Sequence, residues 1–214
     1  TYSWVKVQSF DELLNNFKAT YFAGALLVPR QEIAEEMEAF LSRESWDAKG
    51  FTDMIKKHEV SPEMYMHRLT NVLPKDFGLN KLFFLRVDHK PGSEEFKLTK
   101  ELHLSELHSP HGTVLNEHYC RRWVSLRIFH QLEQHNKQGE GQEPICDAQI
   151  SRYINSGKRY FCITVARPLH PVPDVNCSIT LGFLIDENFK KKCRFWNAGN
   201  VMIKVVNETC ERCA

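Results

Sequence analysis

NFKATYFAGALLVPR, residues Asn16–Arg30, sets small residues at Ala19, Ala23 and Ala25 among large apolar ones at Phe17, Phe22, Leu26 and Leu27. Phe22 and Leu26 are four residues apart, as are Ala19 and Ala23, while Ala19 and Leu26 are seven apart. Those spacings stack side chains on one face of a 3.6-residue helix. The pattern predicts a buried helix whose small residues let a neighbouring helix approach closely. Pro29 ends it, because proline has no N–H to donate and disfavours helix in the residue before it.

Working outward, Ser9 with Glu12 three residues later is a capping box that starts this helix. On the other side, QEIAEEMEAFLSR (31–43) lines up Ile33, Met37, Phe40 and Leu41 on one helical face and acids on the other. SRESWDAKG is a connection and FTDMIKKH a short helix. SPEMYMHRLTNVL then opens with Ser61 as N-cap and Pro62 at the first helical position. The chain therefore reads as helical to about residue 75.

From there the pattern changes. LFFLRVD (82–88) is an apolar run too short for an ordinary helix and reads as a strand. Residues 95–107 alternate only in part and could be a second strand. LNEHYCRRWVSLRIFHQLEQH (115–135) gathers Leu115, Tyr119, Trp123, Leu126, Phe129 and Leu132 into a helical stripe, and NKQGEGQEP is a flexible loop. RYFCITVAR (159–167) and NCSITLGFLID (176–186) read as strands joined through Pro168–Pro173, and NVMIKVVNE (200–208) closes the sheet. The expected class is α+β: a helical part over 1–78, then a mainly antiparallel sheet with flanking helices over 79–214.

Composition bounds the partners. The chain has 214 residues, enough for one good core or two small domains. With 28 basic and 27 acidic residues its net charge is +1, so no global field draws nucleic acid and the chain is not expected to contact DNA itself. No apolar run reaches membrane-spanning length and no signal peptide is present, so no membrane partner is expected. Seven cysteines in an ordinary core composition point to free thiols in the cytoplasm rather than a disulfide scaffold. The start at Thr1 and the end at CERCA suggest a piece of a longer protein.

The residues also carry a narrower resemblance. A-x-x-F-A-x-x-L-L-x-P, from Ala19 to Pro29, is similar to the second signature of ImmA/IrrE-like metallopeptidases, in which a leading Glu is the third zinc ligand after an HExxH helix. Here the Glu position is Asn16 and no HExxH occurs, so the resemblance implies a peptidase-like scaffold without the peptidase. VSPEMYMHRL (60–69) resembles the V-S-x-E-x-x-x-x-R-L helix of the same family. HGTVLNEHYCRRWVSLRIF, the strand carrying ITLGFLID and the terminal C-x-x-C resemble the sensor region of XRE-family transcriptional regulators, of the RamB- and PrpC-like short-chain fatty acyl type. That family's cysteine motif runs to a further Cys, whereas this chain stops after TCERCA. The resemblance implies a GAF-like ligand-sensing domain, a fatty acid or acyl-CoA effector, a homodimer, and DNA contact through an N-terminal helix-turn-helix.

Three clusters are candidate sites. Cys210-x-x-Cys213 has ligand spacing and, joined by Cys177 and Cys193, would make a four-thiolate zinc site; the alternatives are frayed or buried thiols, or a redox pair beside Arg212. A metal- or redox-responsive regulator using the Cys and His residues is the second functional reading. His103, His108, His111 and His118 with Glu106 form a histidine cluster without HExxH spacing, read as surface histidines or a regulatory metal site. Arg121, Arg122 and Arg127, with Tyr119, Trp123 and Arg167, could bind a carboxylate or CoA phosphate, arginine being the side chain that grips such groups bidentately. The competing readings are a core Trp123 and solvent-facing or ion-paired arginines. No Ser-His-Asp order, paired carboxylates in a motif, P-loop or GxGxxG occurs, so no enzyme is expected.

Overall fold

Ser9 accepts the Glu12 N–H while the Glu12 carboxylate accepts the Gln8 N–H, and the helix so capped, α1, runs over Phe10–Leu27. The computed structural model describes residues 8–104, 117–137, 143–169, 172 and 174–213. After Pro29 come α2 (Arg30–Leu41), α3 (Ala48–Lys57), capped by Asp47, and α4 (Pro62–Phe77), capped by Ser61 on the Met64 N–H. Gly78, at φ 67°, ends α4 in the left-handed conformation that glycine adopts without strain. Then follow β1 (Leu82–His89), β2 (Phe96–His103), α5 (Val124–Lys137), β3 (Ile145–Tyr153), β4 (Arg159–Pro168), β5 (Asn176–Leu184), α6 (Glu187–Lys192) and β6 (Met202–Val206).

The class is α+β, with one open six-stranded sheet in the order β2-β1-β5-β4-β3-β6. Every pair is antiparallel except β3 with β6. The central strands are covered on both faces, which is why β4 and β5 read as nearly continuous apolar runs. Phe161, Ile163 and Val165 of β4 point to one face with Ile179, Leu181 and Phe183 of β5, where they share a core with α2, α3, α4 and Phe189 of α6. The other face is covered by α5, with Phe129 and Leu126 against Phe83, Leu85, Tyr160 and Cys162. The helical segment and one side of the sheet thus bury a single continuous cluster.

Several expectations are revised. α1 is a helix but not a buried one: of its residues only Gly24 is buried, while Phe10 is 73% and Leu26 68% exposed. Its stripe is apolar as read, but α4 is its principal neighbour among the described residues and covers only part of it. The helix expected from residue 115 begins at Val124. Before it, Tyr119 bridges to Thr209, the Cys120 N–H donates to the Glu208 carbonyl, and Trp123 Nε1–H donates to the Asn207 carbonyl at 2.8 Å. Tertiary pairing with the C-terminal segment wins there over helical periodicity. β3 was not foreseen, because Asp147, Gln149 and Ser151 make it look polar; they face α5, where Asp147 meets Arg127 and Gln149 donates to the Arg122 carbonyl. Trp46, in the stretch read as a connection, is buried among Phe40, Phe51, Phe161 and Phe195 at centroid distances of 5.7–6.2 Å. Losing one such ring costs about 3–5 kcal/mol. Among the described residues no helix is long and apolar enough to cross a membrane.

Candidate functional site

The residues expected to bind a ligand do not converge. Arg121 pairs with Glu94 at 2.6 Å, Arg122 reaches the Val205 carbonyl at 3.4 Å, and Arg127 is held by Asp147 at 2.6 Å. Trp123 is buried with Tyr119 beside it, ring centroids 5.8 Å apart. Arg167 lies across the sheet from this group, because strand alternation puts it with Val165 on the face opposite α5, paired in register with Cys177.

Cys177, Cys193 and Cys210 do not assemble either. Cys177 opens β5, whereas Cys193 follows α6 beyond that strand's far end, packed with Phe189 and Phe195. Cys210 sits on the other side of the molecule, its Sγ near the Tyr119 carbonyl and the Arg121 N–H, in a segment ending in the short 3-10 turn Glu211–Cys213. Burial raises the thiol pKa of Cys177 and pushes that of Cys193 up to about 12. His103 pairs with Glu101 and His118 with Glu211; His108, His111 and Glu106 lie outside the described residues. Among the described residues no three His, Cys, Asp or Glu side chains are placed to hold a metal ion.

What the fold does build is a groove between α1 and α4. Thr20, Tyr21 and Gly24 form one wall, Ser61, Glu63, Met64, His67, Arg68 and Asn71 the other, and Lys100 of β2 one rim. Its volume is about 270 Å³, close to the roughly 300 Å³ at which small-molecule pockets begin. Gly24 creates part of the space: a Cβ built on it meets nothing within 4 Å, although the residue is buried.

The charges around the groove are almost all spoken for. Burial by itself would raise the Glu63 pKa, but Lys100 and Arg86 more than offset that and hold it below the usual carboxylate range. Arg86 also pairs with Asp88 at 3.1 Å. Burial, with the Lys100 charge nearby, depresses the pKa of His67 against the opposing pull of Glu63, so the imidazole is neutral near neutral pH. Arg68 is the exception. It is 6% exposed, its Nε–H donates to the Val28 carbonyl at 3.1 Å, and its guanidinium lies 5.4 Å from the Tyr21 ring centroid. No carboxylate pairs with it among the described residues.

Comparison with family models, with curated proteins and with solved structures finds no match. The reading of this site therefore rests on its own geometry. The sequence held a signal for it: Arg68 stands three residues after Tyr65 and four before Val72, on the apolar side of α4. A charged residue inside an i, i+3, i+7 stripe marks either a buried ion pair or a ligand contact.

Proposed function

We propose that this chain is the effector-binding, dimerising region of a helix-turn-helix transcriptional regulator, and that its effector is a fatty acid or a derivative of one. The observation that carries the reading is the groove at the joint between α1 and α4. A molecule seated there touches both elements at once, and α1 is otherwise lightly tied to the body. An effector acts only through its different affinity for two arrangements, and a ligand bridging α1 and α4 favours the one in which α1 is docked. The α1 and α4 strings that resemble the ImmA/IrrE family support a scaffold role for these helices, with Asn16 in place of a zinc-binding Glu. The reading is of binding, not catalysis.

The dimerising part is supported by the surface of α1. Phe10, Leu13, Phe17, Tyr21, Phe22, Leu26 and Leu27 are each about half or more exposed. Of these, Phe10, Leu13 and Phe17 share one side of the helix beyond the groove, and at about 200 Å² for each such side chain in full exposure they present roughly 380 Å² there. That is the size of the largest apolar patch of a typical monomer, about 300–600 Å², a kind of patch that is often an interaction surface.

Native mass spectrometry of the purified chain tests both parts, with denaturation to release and identify small molecules. The expected result is a dimer that carries a fatty acid or takes one up from a panel of straight-chain acids. A monomer that carries no organic ligand and takes up none would sink the reading.

A further inference from the structure

A guanidinium withdrawn from water is costly unless an anion meets it. Two of the three other partly buried arginines obey this rule, Arg86 being matched by Glu63 and Asp88 and Arg127 by Asp147, while Arg167 keeps a buried Nε without a hydrogen-bond partner among the described residues. Arg68 is more buried than any of these, yet its hydrogen bond is to a neutral carbonyl and its other close neighbour is an aromatic face. With Glu63 and Lys100 paired to each other and His67 neutral, the groove carries one net positive charge, on Arg68. Its other walls offer Tyr21, Met64 and the bare backbone at Gly24.

We propose that the groove is a site for one free carboxylate with an unbranched apolar tail, the carboxylate forked by Arg68 and the tail lying between Tyr21, Gly24 and Met64. The fork geometry of arginine suits two carboxylate oxygens, and the positive face of the site is spent on a single charge. The volume of about 270 Å³ equals that of roughly nine liquid waters, the scale of a medium-length fatty acid rather than a CoA ester. In a CoA ester the carboxyl is a neutral thioester and offers Arg68 no charge. Naming a fatty acid rests on the effector reading above; the anion site on Arg68 does not.

Isothermal titration of the full chain with octanoate, octanol and octanoyl-CoA tests this, using wild type, Arg68→Met and Gly24→Leu. Octanoate is expected to bind once per chain, and octanol about tenfold more weakly or worse, having lost a charge-assisted pair. Arg68→Met should erase the preference for the acid. Gly24→Leu is the second probe, since leucine favours helix over glycine and its side chain enters the empty space; it should block octanoate with the thermal midpoint kept or raised. Undiminished octanoate binding by both variants, equal binding of octanol, preference for the CoA ester, or no binding by wild type overturns the proposal. A fatty acid that stays with Arg68→Met in native mass spectra removes the site and leaves the effector reading standing. Arg68-dependent octanoate binding by a chain that purifies empty and stays monomeric does the reverse.

Discussion

Gly182 lies in β5 opposite Phe83 of β1, and a Cβ built on it would enter the Phe83 ring. That ring is buried between Tyr160 and His103 on the α5 side of the sheet and has no open direction in which to retreat. Gly182→Ala is therefore expected to lower stability by about 2 kcal/mol or more, read as a shift of the urea midpoint at unchanged slope; an unshifted midpoint would mean the strands move apart freely. Residues of this kind are hard to read in advance. The ITLGFLID run announces a strand, but nothing in it says which neighbour faces the glycine. Arg68 is different, because its place on an apolar helical stripe was visible in the spacing. Arg121, Arg122 and Arg127 stand out more in the sequence, because their closeness suggests a cluster. Arg121 and Arg122 precede α5 and Arg127 lies within it, and each of the three has its own partner.

At the scale of elements, the start of α4 is tied to the sheet by Glu63, which meets Arg86 of β1 and Lys100 of β2. Its pKa is held below the ordinary value, so the folded state binds this proton less readily than the unfolded chain does. The stabilisation is complete above the unfolded value and is lost as pH falls through the folded one. Glu63→Gln should accordingly flatten the acid limb: between about pH 7 and about pH 3 its urea midpoint should fall less than that of wild type. Parallel curves for the two proteins would exclude Glu63 as a contributor. The elements whose ends were read well are those with local signals, Ser9, Ser61 and Pro62 among them, since a cap is decided within one turn. Residues 115–123 and β3 were misread or missed because their outcome depends on distant partners. Tyr119 is captured by Thr209, and in β3 Asp147 meets Arg127 of α5 while Gln149 donates to the Arg122 carbonyl just before that helix. For α1 the helix was legible but its surroundings were not. An apolar stripe implies that something covers it, not that the cover comes from the same chain.

For the whole molecule, the expected boundary near residue 78 falls between α4 and β1, where helices give way to sheet, yet the apolar cluster runs straight across it from Phe40, Phe51 and Tyr65 to Phe161, Ile179 and Leu181. The sheet is a wall shared by two cores, and its thiols report on each. Cys193 lies on the side of α2–α4 and Cys162 on the side of α5; both are buried, and burial pushes both up to about 12. A thiol reacts as its thiolate, so neither should be labelled by a thiol reagent in the native protein at neutral pH. If the helical layer folds only together with the sheet, the two should become reactive at the same urea concentration, because exposing one requires the loss of the strands that shield the other. Labelling followed by peptide mass spectrometry across a urea series reads this directly. Coincident midpoints would mean that α2–α4 and the sheet form one cooperative unit, so that a ligand fixing α1 on α4 stabilises the entire fold. If Cys193 reacts at lower urea than Cys162, the helical layer opens by itself, and a ligand in the α1–α4 groove would be felt by that layer alone.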